Sequence, residues 1–193
     1  MDFDKDLAAR QEARDLCAQA DKAQRILATF PQDKLDAIVE AVAKAFSAAA
    51  AELADLAVQE TGFGNADDKV TKNRFASEKV AAAIRGMKTV GVLRENNQDK
   101  LWEVGVPLGV IAAIVPSTNP TSTVCYKSLI ALKSGNAIVF SPHPKAVCCT
   151  LRAAKIVAEA AERAGAPAGC VSCLSLASMA GCQELMGAEQ VRL

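Results

Sequence analysis

The feature that most constrains the fold of this chain is an apolar segment followed by a polar loop that is bounded by prolines. Residues 109–115 are apolar and rich in Val and Ile, which predicts a strand buried on both faces of a parallel sheet. The loop 116–122 follows at once and consists mainly of hydroxyl and amide side chains. A second apolar strand, 137–140, ends in a similar loop, 141–144. The same transition from strand to polar loop therefore occurs twice.

Residues 124–133 lie between the two strands and have a helical pattern, which completes a strand, helix and strand unit. Both polar loops then follow the carboxyl ends of parallel strands, the edge of an open sheet where ligands bind. We therefore expect Asn119 and His143 to lie on the same edge, beside a bound ligand. A third strand is predicted at 170–174 and the first residues of a fourth at 191–193, so we expect the sequence to be part of a longer protein.

The residues before this unit are predicted to be helical and then extended. Apolar residues recur at helical spacing over 4–29, from Pro31 to the stop signal Gly62, and over 67–87. On the third of these helices, Val70, Phe75, Val80 and Ile84 are expected to face inward. The polar residues of this helix are expected to form a solvated face. They are Lys69, Lys72, Asn73 and Arg74. Residues 88–106 alternate in polarity and predict a hairpin or an extended arm.

These patterns predict three units along the chain. They are an N-terminal helical segment at 1–87 that packs on the following α/β domain, an arm at 88–106, and a partial α/β domain at 107–193, which the family resemblance given below implies is dinucleotide-binding. An arm of this kind leaves unpaired backbone groups when solitary, so we expect it to pair between the subunits of a homo-oligomer.

Composition excludes several classes of protein. The 22 basic and 22 acidic residues balance and are not clustered, which argues against a nucleic-acid partner. The absence of an export signal or of a long apolar run predicts a cytoplasmic protein without a membrane partner. In that compartment the 7 cysteines should be reduced thiols. We expect no metal site, because His143 is the only histidine and the pair Cys170 and Cys173 lies in an apolar strand.

The two polar loops resemble those of the coenzyme A-acylating aldehyde dehydrogenases. The similarity continues through 127–133 and 136–144, and further matches lie upstream at 60–64, 68–70, 72–73 and 87–92. This resemblance implies an α/β fold with an aldehyde dehydrogenase-like, Rossmann-type parallel sheet that is incomplete here. An N-terminal helical segment and an extended oligomerisation arm would precede that sheet.

The resemblance also implies a reaction. In that family a cysteine thiolate attacks the aldehyde, hydride passes to NAD, and the thiol of coenzyme A takes the resulting acyl group. The implied cofactor is NAD, with NADP possible, and coenzyme A is the cosubstrate. The substrate is a small aldehyde such as acetaldehyde, propanal or sulfoacetaldehyde.

Candidate site residues come from the same resemblance. Asn119 would donate a hydrogen bond to the aldehyde oxygen. General aldehyde dehydrogenases place this amide one residue earlier, so Thr118 is a second candidate, and the alternative is that both residues only cap the next helix. Ser141 replaces the lysine that binds the adenosine ribose in many general members. The cofactor-binding candidates are Pro116, Ser117, Thr118, Ser141, Pro142, His143, Leu174 and Ser175.

The resemblance also indicates what the chain lacks. The family's nucleophilic cysteine and its glycine-rich turn correspond to positions beyond Leu193, so we expect the 193-residue chain alone to be inactive. Two other functions remain open. One is a non-acylating NAD(P)-dependent aldehyde dehydrogenase, against which Ser141 and the loop 116–120 argue. The other is a catalytically inactive module for nucleotide binding or assembly.

Overall fold

A computed structural model describes residues 4–193 of the chain. Helices, two antiparallel strands and a parallel sheet follow one another along the sequence. The helices are α1 Lys5–Leu27, α2 Gln32–Ala48, α3 Ala50–Thr61, α4 Ala66–Arg74, α5 Val80–Ile84, α6 Pro120–Lys133, α7 Val147–Arg163 and α8 Met179–Gly187. The strands are β1 Gly91–Asn96, β2 Leu101–Gly105, β3 Val110–Val115, β4 Ala137–Pro142 and β5 Val171–Cys173.

The N-terminal helices are close to the predicted ones but are divided differently. The single helix expected from Pro31 to Gly62 is wrong, because Ala49, with ψ at 7°, separates α2 from α3. Alanine propensity alone carries no signal for this bend. Gly62 ends α3 in the left-handed region with φ at 69°, a conformation that glycine adopts without steric cost.

The third predicted helix contains a π-helical turn, Phe75–Lys79, between α4 and α5. Its inward face is also different from the predicted one, since Phe75 is 62% exposed whereas Lys69 and Asn73 are buried. The prediction of a solvated polar face is therefore wrong for these two residues. Hydrophobic periodicity misplaced the face because the inward side of α4 meets a polar loop, not an apolar core.

Strands β1 and β2 form an antiparallel hairpin that projects its apolar side chains outward. Leu101, Trp102 and Val104 are each more than half exposed. The base of the hairpin is held by Gln32, whose side-chain oxygen accepts hydrogen bonds from the backbone N–H groups of Thr89 at 2.7 Å and Val90 at 3.1 Å. The hairpin therefore has a fixed base and an exposed apolar surface.

The parallel sheet has the strand order β3, β4, β5, and Val191 adds a parallel bridge beside Val110. Strand β4 pairs with both neighbours, with Val115 opposite Pro142 at one end. Helix α1 packs on β3, β4 and β5, α6 and α7 also pack on the sheet, and α2 packs on α6 and α7. These features confirm the predicted α/β fold with a parallel sheet and a helical N-terminal part.

One hydrophobic core joins the N-terminal helices to the sheet. It includes Phe46 of α2, Phe140 of β4 and Leu132 of α6, each fully buried. Burying a side chain of this size stabilises a fold by about 1.5–3 kcal/mol, so the helices and the sheet stabilise each other. No helix within residues 4–193 combines the length and the apolar character needed to span a bilayer.

Candidate functional site

The loops that follow β3 and β4 lie on the same edge of the sheet. The backbone N–H of His143 donates a hydrogen bond to the carbonyl oxygen of Val115 at 3.1 Å, which ties the second loop to the end of the first strand. A cavity of about 360 Å³ opens between them and the start of α8. Its lining includes Ile114, Val115, Pro116, Ser141, Pro142, His143, Pro144, Ser178, Met179 and Cys182.

The polar groups of this cavity are suited to a sugar or a ring nitrogen. The Nδ1 atom of His143 accepts the backbone hydrogen of Lys145 at 3.1 Å, so Nε2 carries the ring hydrogen and can donate it. Ser141 adds a hydroxyl and is only 6% exposed. Among the described residues that line the cavity there is no lysine or arginine. The donor set therefore fits the uncharged adenosine end of a dinucleotide better than a phosphate group.

Asn119 lies at a second cavity, of about 630 Å³, between α4 and α6. Phe75, Tyr126 and Lys72 are among the side chains around it. Asn119 occupies the N-cap position of α6, yet within residues 4–193 its side chain makes no capping hydrogen bond. Its Oδ1 atom instead accepts a hydrogen bond from Lys72 Nζ at 3.3 Å. The alternative that the Asn119 side chain caps the helix is therefore wrong.

The rest of this loop is held by buried polar side chains of α4. Lys69 is 5% exposed, and its Nζ donates to the Thr118 carbonyl oxygen at 2.8 Å. Burial lowers the pKa of Lys69, and the nearby charge of Lys72 lowers it further. The hydroxyl of Thr121 donates to Oδ1 of Asn73 at 2.8 Å. The polar spacing of positions 69, 72 and 73, which share one helix face, was the signal that could have located this contact.

Leu174 and Ser175, predicted by analogy to bind the cofactor, lie outside the residues that line either cavity. The backbone N–H of Leu174 donates to the Phe140 carbonyl oxygen at 2.9 Å. The backbone N–H and the hydroxyl of Ser175 both donate to Oε1 of Glu12, at 2.8 and 2.6 Å. The structure thus brings Pro116, Ser141, Pro142 and His143 together at one cavity and Asn119 to the other, while Ser117 and Thr118 connect them.

Glu60 of α3 was not predicted as a site residue, although it was noted in an upstream match. Its two carboxylate oxygens accept the backbone hydrogens of Cys148 at 2.8 Å and Cys149 at 2.7 Å, at the start of α7. Burial raises the pKa of Glu60, but the hydrogen bonds from Cys149 and Cys148 outweigh that effect, so the pKa lies below its ordinary value.

Charged residues of the helical segment therefore reach segments after all three strands. Lys69 holds the loop after β3, Glu60 the helix start after β4, and Glu12 the loop after β5. Local periodicity can indicate a polar helix face, but it does not identify the distant residues that this face contacts. These contacts make the N-terminal helices part of the support for both cavities.

Six of the seven cysteines have raised pKa values in this fold. No disulfide joins any of the seven within residues 4–193. Burial raises the pKa of Cys149 and of Cys170 to about 12, and the charge of Glu60 raises that of the exposed Cys148. Burial also raises the pKa values of Cys17, Cys125 and Cys173. Thiols with raised pKa values stay protonated near neutral pH, whereas the thiolate is the reactive form.

The arrangement defines an α/β protein with cavities at and beside the carboxyl edge of a parallel sheet. Comparison with known proteins identifies the family. The profile of the aldehyde dehydrogenase family matches residues 4–193, and the chain belongs to that family. The expected resemblance to aldehyde dehydrogenases is confirmed.

Individual relatives are similar over most of the chain. The bifunctional aldehyde-alcohol dehydrogenase AdhE of Escherichia coli K12 is 49% identical over 156 residues, which is 81% of this chain and 18% of that protein. The crystal structure of an acetylating aldehyde dehydrogenase from Geobacillus thermoglucosidasius matches with a TM-score of 0.96 and 50% identity, over 97% of this chain and 42% of that one.

A probable aldehyde dehydrogenase from Listeria monocytogenes EGD-e matches with a TM-score of 0.97 and 50% identity, over 98% of this chain and 42% of that one. The chain thus spans less than half the length of these relatives.

Proposed function

We propose that this chain forms the nucleotide-binding and aldehyde-facing part of a coenzyme A-acylating aldehyde dehydrogenase. The overall reaction converts an aldehyde, coenzyme A and NAD⁺ into an acyl-coenzyme A and NADH. The observation that carries the proposal is the cavity formed by Pro116, Ser141 and His143 on the same sheet edge as the Asn119 loop, in a chain of this family. The similarity to an acetylating enzyme supports the acylating type.

In this proposal the cavity beside His143 holds the adenosine end of NAD. The Ser141 hydroxyl and the Nε2–H of His143 bind sugar hydroxyls, and Pro116 and Pro142 provide apolar contacts. A 2′-phosphate would find no basic side chain among the described residues that line the cavity, which supports NAD over NADP. When bound, NAD accepts the hydride that the aldehyde carbon loses.

The second cavity is proposed to take the aldehyde. Its size of about 630 Å³ admits a small aldehyde such as acetaldehyde or propanal, with Phe75 and Tyr126 against the alkyl group. The Nδ2 atom of Asn119 would donate to the aldehyde oxygen as negative charge develops there. A preorganised donor of this kind stabilises a transition state by about 2.7–4 kcal/mol. Thr118 contributes through the loop backbone that Lys69 holds.

Cys125, Cys149 and Cys170 are not proposed as the nucleophile, because burial raises their pKa values and leaves little thiolate near neutral pH. The same observation favours a second candidate function, a module that binds the nucleotide without catalysis. The two are separated by mixing the intact source protein with acetaldehyde, coenzyme A and NAD⁺ and recording NADH absorbance, because only the acylating enzyme would produce NADH. We expect no NADH from the chain alone. NADH that forms without coenzyme A would instead support the non-acylating alternative.

The exposed hairpin supports a homo-oligomer. Its apolar side chains are solvated in one chain, and an isolated two-stranded hairpin is only marginally stable in water. Pairing with the hairpin of another copy would bury Trp102 and Val104. The seven unpaired thiols among the described residues support the reducing cytoplasm as the compartment.

Calorimetric titration of the chain with NAD⁺ tests the proposed function. We expect saturable binding of one NAD⁺ per chain, competed by AMP because AMP occupies the proposed adenosine cavity. Nicotinamide mononucleotide, which lacks adenosine, should compete poorly. A chain that is folded by circular dichroism but shows no binding heat with NAD⁺ would overturn the proposal.

A further inference from the structure

One face of α4 makes three polar contacts to the loop that carries Asn119. Lys69 Nζ reaches the Thr118 carbonyl oxygen at 2.8 Å, Lys72 Nζ reaches Asn119 Oδ1 at 3.3 Å, and Asn73 Oδ1 accepts the Thr121 hydroxyl. Positions 69, 72 and 73 are three and four residues apart, so their side chains leave the helix on the same side. Lys69 and Asn73 are buried, which gives this face a fixed position against the loop.

The contact from Lys72 determines which atom of the Asn119 amide lies beside the lysine. A lysine ammonium group can only donate hydrogen bonds, so the amide atom next to it must be the oxygen. The amide nitrogen is then turned away from Lys72, and both of its hydrogens can donate to a ligand.

An asparagine at an N-cap position has a competing use for its oxygen. It ordinarily accepts a backbone hydrogen from the first turn of the helix, a bond that stabilises the helix by about 1 kcal/mol. Within the described residues the Asn119 side chain makes no such bond. Its oxygen accepts a hydrogen bond from Lys72 instead. The loop therefore uses its asparagine for a purpose other than capping.

We infer that Lys72 is a positioning residue that orients the Asn119 amide so that Nδ2 faces the aldehyde oxygen. This inference rests on the proposed role of Asn119 and names the residue that prepares it. Without the ammonium group, Asn119 Oδ1 loses its hydrogen-bond partner. The side chain then becomes mobile, and its two donors leave the orientation that the aldehyde requires.

The test is the order of the Asn119 side-chain NH₂ group in the ¹⁵N-labelled chain. Its signals are assigned by their loss in Asn119→Ala. In the wild type we expect an order parameter near that of rigid backbone, about 0.85, and in Lys72→Met a value below about 0.6. Lys72→Arg, which still donates, should restore the wild-type value. Lys72→Glu offers only acceptors, so the amide should turn over, with its order retained and its proton shifts changed.

Lys127→Met is the matched control. Lys127 Nζ donates to the backbone oxygen of Ile114 at 3.0 Å and does not contact Asn119. If Lys72 had only a structural role, Lys72→Met and Lys127→Met would change backbone order to the same extent. Both variants would leave the order of the Asn119 NH₂ group unchanged. An unchanged Asn119 side-chain order parameter in Lys72→Met, or a loss in Lys72→Arg equal to that in Lys72→Met, would overturn the inference. Titration of the same variants with NAD⁺ tests the proposed function separately, because Lys72 lies outside the lining of the nucleotide cavity.

Discussion

Removal of the Glu60 carboxylate should destabilise the chain more than removal of any exposed ion pair between the same two helices. Glu60 accepts the backbone hydrogens of Cys148 and Cys149, two of the groups at the start of α7 that lack a partner inside the helix. Each hydrogen bond to a charged group contributes roughly 1.5–3 kcal/mol when shielded from water. Glu60 is half-buried, so solvent screening reduces the sum, and we expect Glu60→Ala to cost about 2 kcal/mol.

The matched control for this variant is Glu52→Ala. Glu52 also lies on α3 and also reaches α7, but it pairs with the exposed side chain of Arg152 at 2.6 Å. Exposed pairs of this kind contribute about 0.2–1 kcal/mol. Urea unfolding at pH 7 should therefore separate the two variants by more than about 1 kcal/mol. In thermal unfolding, Glu60→Ala should lower Tm by about 4–8 °C, because each kcal/mol shifts Tm by about 2–4 °C in a chain of this size.

The effect of Glu60 should depend on pH in one direction. Its pKa is lower in the folded chain than in the unfolded chain, where a glutamate titrates at about 4.3. The stabilisation is therefore fully present above that value and is lost as the pH falls through the folded pKa. The difference in unfolding free energy between wild type and Glu60→Ala should therefore become smaller as the pH falls from 7 to below about 4. Equal stability of Glu60→Ala and Glu52→Ala, or a difference that does not change with pH, would refute the reasoning.

Three further outcomes are expected. His143→Ala should weaken NAD⁺ binding by about fivefold, the equivalent of one hydrogen bond of about 1 kcal/mol, whereas Lys155→Ala on the exposed side of α7 should leave it unchanged in calorimetry. Trp102→Glu should shift the chain to monomers in light scattering, and an unchanged mass would count against pairing of the hairpins. Glu60→Gln removes the charge that raises the pKa of Cys148, so alkylation of Cys148 by iodoacetamide should become faster at pH 8, and an unaltered rate would contradict that cause.

Local pattern predicted the parts of this fold that depend on neighbouring residues. Strand β4 is buried on both faces, and its continuous apolar run 137–140 indicated this correctly. The predicted helix end at Gly62 is also confirmed, because this glycine adopts the left-handed backbone that ends α3. The bend at Ala49 had no sequence signal, because alanine is compatible with helix on both sides of it.

The site was less predictable, because distant parts of the chain build it. Sequence order and the rule for parallel sheets indicated the two loops at the sheet edge. The loop that carries Asn119 follows β3, and the loop that carries His143 follows β4. Lys69 was misread as solvated because lysine is rarely buried, and only the fold reveals the Thr118 carbonyl oxygen that pairs with it. The contacts of Glu12 and Glu60 join residues whose proximity depends on the packing of α1 and α3.

The most direct test of the account is a titration of the ¹⁵N-labelled chain with NAD⁺ in which backbone amide shifts are mapped on the structure. We predict saturable shifts concentrated at Ser117 to Asn119, at Ser141, His143 and Lys145, and at the start of α8. AMP should affect the same residues apart from those of the Asn119 loop. Shifts confined to another surface, or none at saturating NAD⁺, would contradict the claim that the edge of this sheet binds the nucleotide.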